Sequence, residues 1–140
     1  KLAEAALVKI SSALPNVTSN WTAGVPLPGG DFAVGDVKKL QDKLANDYPF
    51  LSAYATRRLI RAYGTEAWEV LGNATFTTDL GQDFGATITA RELDWAIARE
   101  WVRTGEDYLW RRTKLGLRLS EEERAAVDGY ITQQAAKLAA

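Results

Sequence analysis

Three groups of residues in this 140-residue chain have types and spacings that could do chemistry. The first is Asp79-x-x-x-Asp83-Phe84-Gly85. A calcium loop would need oxygen ligands at its third and twelfth positions. Counted from Asp79 those positions hold Gly81 and Ala90, so the pattern fails. The two acids could pair for acid–base work. The structural alternative is that they cap local amides while Gly81 and Gly85 admit tight backbone. The second group is Gly29-Gly30, which could approach a phosphate. No strand precedes it, Asp31 follows it and no Lys or Arg lies near, so a plain turn is expected. The third is a basic concentration of Arg103, Arg111, Arg112, Lys114 and Arg118 around Trp110, which carries a net +3 once Glu106 and Asp107 are counted. It could contact phosphate, nucleic acid or a neighbouring domain. It could also be an ion-paired, solvated face, with Arg111-Arg112 complementing a helix C-terminus. The other arginine group, Arg57, Arg58 and Arg61, is separate in sequence.

Composition narrows these options. The chain has neither cysteine nor histidine, so disulfides, thiolate metal sites and every Ser-His or Cys-His scheme are closed to it. No catalytic, cofactor-binding or metal-ligating residue is assigned. Seventeen basic residues against eighteen acidic ones leave a net charge of −1, which provides no global field for a nucleic acid. Hydrophobic residues at 46% and charged residues at 25% are those of a globular chain, and the length suits one domain spanning residues 1–140. No signal peptide or run of about 20 apolar residues occurs, so cytoplasmic conditions are expected.

The elements that must position these groups read as helices. Ala3, Leu7, Ile10 and Leu14 share one face, which predicts a helix over Lys1–Leu14. No capping residue precedes it, and the chain has no methionine, so it is expected to be a piece of a longer parent. Pro15–Gly35 reads as a long ordered loop, rich in Pro and Gly and anchored by Trp21 and Phe32. Asp36 is the expected N-cap of a helix ending before Tyr48-Pro49. A further helix spans about Ser52–Tyr63, facing Leu59 and Tyr63 inward and its three arginines elsewhere. Gly64 and Gly72 bound a short helix after it.

Thr75–Ala86 is irregular. Helix resumes at Thr89, with Leu93, Ile97 and Trp101 on one face, then over Glu106–Lys114, then from Glu121 to about Leu138. That last helix places Val127, Ile131, Ala135 and Leu138 together. Thr89-x-x-Glu92, Thr104-x-x-Asp107 and Ser120-x-x-Glu123 each read as a capping box, with a hydroxyl at N-cap and an acid three residues on. No stretch alternates with period two. The expected fold is therefore all-α, an irregular bundle of about six or seven short helices with a long Pro/Gly-rich loop after the first.

The tract Glu100-Trp101-Val102-Arg103-Thr104-Gly105-Glu106-Asp107-Tyr108-Leu109-Trp110-Arg111-Arg112-Thr113-Lys114-Leu115-Gly116 resembles the C-terminal domain of FAD-dependent, quinone-linked glycerol-3-phosphate dehydrogenases. Further motifs agree in order: Leu27-Pro28-Gly29-Gly30, Tyr48-Pro49-Phe50-Leu51, Arg58-Leu59 with Tyr63-Gly64, and Asp79-Leu80-Gly81 with Phe84-Gly85. Together they cover about residues 1–120.

The resemblance implies a helical cap cut from a two-part flavoprotein whose N-terminal FAD-binding domain is absent here. The parent would oxidise sn-glycerol 3-phosphate to dihydroxyacetone phosphate and pass electrons through FAD to membrane quinone. It would be a homodimer, peripheral on the inner membrane and attached through the missing half. The fragment alone would be inactive and free of FAD, packing on the flavin domain and supplying self-association surface. Arg111, Arg112 and Lys114 are the candidates for contact with that domain or with an approaching anionic substrate. The alternative reading is a free-standing helical adaptor that binds other proteins, which a flavin fingerprint upstream of Lys1 would exclude.

Overall fold

Six α-helices carry the architecture of the computed structural model, which describes residues 2–14, 16 and 21–139. They are α1 (Leu2–Ile10), α2 (Val37–Asp47), α3 (Ala53–Tyr63), α4 (Ala67–Leu71), α5 (Ala90–Arg99) and α6 (Glu121–Ala139). Short 3₁₀ turns link several of them, and Asp107–Arg112 forms a π-helical segment between α5 and α6. Among the described residues there is no strand, only one isolated antiparallel bridge between Asp83 and Thr89. The fold is all-α, as the helix-period patterns and the lack of alternation indicate.

Two apolar cores form. Leu44 of α2, Leu59, Ile60 and Tyr63 of α3, and Ala67, Val70 and Leu71 of α4 make the first. Leu93 and Ile97 of α5, Tyr108 and Leu109 of the π segment, and Val127 and Ile131 of α6 make the second. Within the first core, α3 starts at a side-chain cap, and α3 and α4 both end on glycine. Ser52 Oγ accepts the Ala55 amide at 3.1 Å and starts α3. Gly64 and Gly72, at φ +54° and +57°, stop α3 and α4.

Gly64 has a second task. Its backbone lies against that of Gly29, and the Thr65 amide donates to the Gly29 carbonyl at 2.9 Å. A Cβ on Gly64 would lie 1.9 Å from the Gly29 carbonyl oxygen, and one on Gly29 would lie 2.2 Å from that of Tyr63. Leu27-Pro28-Gly29-Gly30 is indeed a turn, closed by the Gly30 amide on the Leu27 carbonyl at 2.8 Å, and this turn docks on the end of α3.

Several expectations need correction. Asp36 stands at the start of α2 but makes no capping bond; its carboxylate is drawn to Lys39 at 2.7 Å. Trp21 anchors nothing, being largely exposed, whereas Phe32 is half-buried beside Gly64. Pro15 and Val17–Asn20 of that loop, like Lys1, lie outside the described residues. Trp101 is not on the α5 stripe. The helix ends at Arg99, and Trp101 sits at φ +59° with 83% of its surface exposed. Leu138 is likewise exposed, beyond the stretch of α6 that the second core covers. The helix expected over Glu106–Lys114 is wound wider than an α-helix and stops at Arg112, with Lys114 beyond it in the left-handed region at φ +60°. The apolar face of α1 buries nothing: Leu2, Leu7, Val8, Ile10 and Leu14 are all exposed.

Candidate functional site

The seam between the two cores is polar. Glu92 opens α5 among apolar neighbours, and its side chain is 2% exposed. Its Oε1 accepts from Arg58 Nη1 at 2.7 Å, from the Tyr63 hydroxyl at 2.7 Å and from the Tyr108 hydroxyl at 2.6 Å. Its Oε2 accepts from Arg58 Nη2 at 2.6 Å. Arg58, 10% exposed, also donates through Nε to Thr87 Oγ1 and through Nη2 to the Thr87 carbonyl, each at 2.8 Å. Tyr63 belongs to the first core and Tyr108 to the second, so one carboxylate ties both together.

Thr87 presents both oxygens from a left-handed backbone, φ +66°, next to Ala86 at +48°. A β-branched residue there is strained by about 1–3 kcal/mol. The bonds to Arg58 hold it in place.

Electrostatics follow from this geometry. Burial disfavours the Arg58 charge, but Glu92 beside it more than offsets that and raises the guanidinium pKa above its usual value. Burial first, and then the Glu92 carboxylate, push the Tyr63 and Tyr108 hydroxyls well above the ordinary phenol range. Both remain neutral donors. A buried pair of this kind, with further donors completing the carboxylate, suits a structural keystone better than a proton shuttle. It also forms the polar edge of a ≈ 210 Å³ pocket between α3, α4 and α5, whose other walls include Phe50, Leu51, Leu59 and Val70.

Glu92 escaped the sequence reading as a site residue because it also fits a capping box. That box does not form. Thr89 makes no capping bond, and the start of α5 is held by the Asp83–Thr89 bridge and by the Ala90 amide on the Gln82 carbonyl at 2.9 Å. The other two boxes are reciprocal. Asp107 accepts the Thr104 amide at 3.0 Å while Thr104 Oγ1 accepts the Asp107 amide at 3.3 Å. Ser120 and Glu123 repeat the exchange at 2.8 and 3.2 Å. The missed signal was position. Glu92 shares a face with Leu93, Ala96 and Ile97, so helical geometry turns it inward. Arg58, expected to point away from the core with Arg57 and Arg61, turns inward to meet it.

Two of the five cations in the basic concentration, Arg111 and Arg112, are balanced by carboxylates. Arg111 pairs with Asp107 at 2.6 Å and Glu106 at 2.9 Å. Arg112 grips Glu100, with Nε donating to Oε2 at 3.2 Å. Lys114 Nζ donates to the Trp110 carbonyl. Arg103 donates to the Ile97 and Val102 carbonyls at 2.9 and 2.8 Å. Arg111, Arg112 and Lys114 nevertheless remain exposed.

Asp79 and Asp83 act locally. Asp79 accepts the Thr75 and Phe76 amides at 2.8 and 3.0 Å, which hold its carboxyl below the usual range, and Asp83 accepts the Gly85 amide at 2.8 Å. Among the described residues no group of acids could hold a metal ion, and no helix is long and apolar enough to cross a membrane. The chain carries no G-x-G-x-x-G, and the described residues form no strand–turn–helix crossover, so they do not fit a dinucleotide cradle.

Comparison with known proteins gives a consistent result. The family described as the C-terminal domain of alpha-glycerophosphate oxidase matches residues 20–139. A glycerol-3-phosphate dehydrogenase of Pseudomonas aeruginosa is 39% identical over 134 residues, covering 96% of this chain and 26% of the relative. The aerobic glycerol-3-phosphate dehydrogenase of Escherichia coli is 39% identical over 142 residues, covering 99% and 28%. A D-erythritol 1-phosphate dehydrogenase of Brucella abortus is 36% identical over 126 residues, covering 90% and 25%. The chain thus spans about a quarter of the length of these relatives. With a match over residues 20–139, the chain belongs to the family of C-terminal domains of alpha-glycerophosphate oxidase and its glycerol-3-phosphate dehydrogenase relatives.

Proposed function

We propose that the chain is the helical cap of an FAD-dependent glycerol-3-phosphate dehydrogenase. In the parent, sn-glycerol 3-phosphate would be oxidised to dihydroxyacetone phosphate, its two electrons passing through FAD to quinone. The observation that carries this reading is the family match over residues 20–139, joined to relatives about four times as long. The flavin and the reacting alcohol would be held by the remainder of the parent, and the cap's part is architectural. The exposed apolar face of α1, with Leu2, Leu7 and Ile10, offers surface of the kind that a covalently joined neighbour covers. The parent is expected as a homodimer, peripheral on the cytoplasmic face of the inner membrane and attached through its flavin part. The free-standing adaptor reading draws no support from the relatives.

Arg111, Arg112 and Lys114 remain the proposed inter-domain contact. The present ion pairs of Arg111 and Arg112 would be shared with, or exchanged for, pairs with acids on the flavin domain, and Lys114 would turn from the Trp110 carbonyl to such an acid. The test is to measure flavin content and glycerol 3-phosphate oxidation on this chain and on the full chain side by side. A colourless, inactive fragment beside an active yellow parent is expected. In the parent, an Arg111→Ala/Arg112→Ala variant with unchanged turnover, substrate affinity and salt dependence would remove those residues from the contact. Leu7→Asp in the parent is expected to loosen the cap, read as faster proteolysis between the two parts.

The Brucella relative, named for D-erythritol 1-phosphate, favours a second reading in which the parent's substrate is another polyol phosphate. Comparing kcat/KM for the two phosphates decides between them.

A further inference from the structure

The fold brings together two arginine groups that lie far apart in sequence. Tyr54, Arg57, Arg58 and Arg61 share one face of α3. Across from them stand Arg112 and Arg118, and between the walls lies a cleft of ≈ 430 Å³. That lies within the roughly 300–1,000 Å³ range of small-molecule sites. None of its lining residues is an acid.

Two of the five guanidinium groups are already balanced, Arg58 by Glu92 and Arg112 by Glu100. Among the described residues, Arg57, Arg61 and Arg118 have no carboxylate in ion-pair range. Arg118 lies over the Tyr54 ring, 5.4 Å from its centroid, which holds it at the cleft. Arg57 and Arg61 lie one helical turn apart and repel each other. The cleft therefore has an excess of about three positive charges that no carboxylate among the described residues answers.

We propose that this cleft binds a small, soluble phosphate monoester, with Arg57, Arg61 and Arg118 as its ligands. Two features select that chemistry. Every cation here is an arginine, whose planar fork matches phosphate oxygens in pairs. The pocket is concave and small, whereas a nucleic acid would need a broad basic surface that a chain of net charge −1 does not offer. The proposal stands apart from the parent's catalytic activity, because it concerns this chain's own residues.

The test is an NMR titration of the ¹⁵N-labelled chain with inorganic phosphate, against sodium chloride at matched ionic strength. Saturable one-to-one shifts of the Arg57, Arg61 and Arg118 Nε–H signals are expected with phosphate and not with chloride. Arg57→Ala/Arg61→Ala should weaken binding about a hundredfold or more, since two charge-assisted bonds are lost together. Arg99→Ala, which removes an exposed arginine paired elsewhere with Glu69, should leave it unchanged. Amide spectra of both variants check that the fold is intact. Shifts that chloride reproduces, or that survive the double substitution, overturn the proposal. So does binding to vesicles of equimolar phosphatidic acid and phosphatidylcholine with no response to free phosphate, which would assign the cleft to a lipid surface.

Discussion

Arg58 and Glu92, 34 positions apart, meet in a two-armed ion pair at 2.6–2.7 Å with both side chains almost wholly out of water. The pair joins α3 to α5 at the boundary between the two apolar cores, and a tyrosine from each core completes the carboxylate. Taking two charges out of water is costly. Their mutual attraction recovers that cost only because the remaining valences are filled, here by Tyr63, Tyr108 and Thr87.

Removing one partner should therefore be severe. Arg58→Met is expected to cost about 3–5 kcal/mol, because it leaves Glu92 buried and unpaired. Replacing both by apolar residues, as Arg58→Met/Glu92→Leu, should cost less than the sum of the single changes. The two tyrosine hydroxyls would still lose their acceptor, at about 1–3 kcal/mol each. Urea denaturation of the four proteins completes the cycle, and additive effects would contradict the coupling.

The same cluster predicts sensitivity to alkali. Burial and Glu92 raise the Tyr63 and Tyr108 pKa values in the folded state. In the unfolded chain both titrate near pH 10. Their contribution is thus complete below about pH 10 and falls as pH rises toward the folded pKa values, by about 1.4 kcal/mol per pH unit for each tyrosine. Phenolate absorbance should show two tyrosines that ionise only as the protein unfolds. Tyr108→Phe should remove one of them and flatten the slope.

Glycine positions separate by their surroundings. Gly29→Ala and Gly64→Ala each force a Cβ into backbone less than 2.5 Å away at positive φ. Strain alone should cost roughly 1–2 kcal/mol, with overpacking adding about 1–3. Gly129 faces open space in the middle of α6. Gly129→Ala should therefore stabilise by about 0.5–1 kcal/mol. Thermal melts of the three variants check both signs.

At the start of the π segment, the Asp107 carboxyl accepts the Arg103 and Thr104 amides, which hold its pKa below the usual value. Asp107→Ala should cost about 1 kcal/mol at neutral pH, as the loss of a cap does. For a depressed carboxylate the benefit exists above its unfolded pKa, near 3.9, and disappears as pH falls through the folded one. The stability gap between wild type and variant should close in that acid window.

Local signals were legible where one residue acts alone. Ser52, Gly64, Gly72, Thr104 and Ser120 mark helix ends by chemistry that needs no distant partner. Leu44, Leu93 and Ile131 follow helical period into the cores. The hidden features depend on distant pairs. Glu92 satisfied a local cap pattern, yet its partners come from α3 and the π segment. Arg57 and Arg61 looked separate from Arg112 and Arg118 because nothing in the intervening residues says that α3 runs beside them. The wider winding after Asp107 was equally unreadable, since its residues suit an ordinary helix.

That winding leads into the far side of the arginine cleft. A π turn holds one more residue than an α turn in the same span. Because that residue is absorbed within the turn, deleting one position ahead of Arg112 would let the ladder close as an α-helix and leave Arg112 and Arg118 beside Arg57 and Arg61. The same deletion in a regular α-helix would turn everything downstream by about 100°. A one-codon loss there would thus spare the cleft, where the same loss within α3 would scatter its arginines.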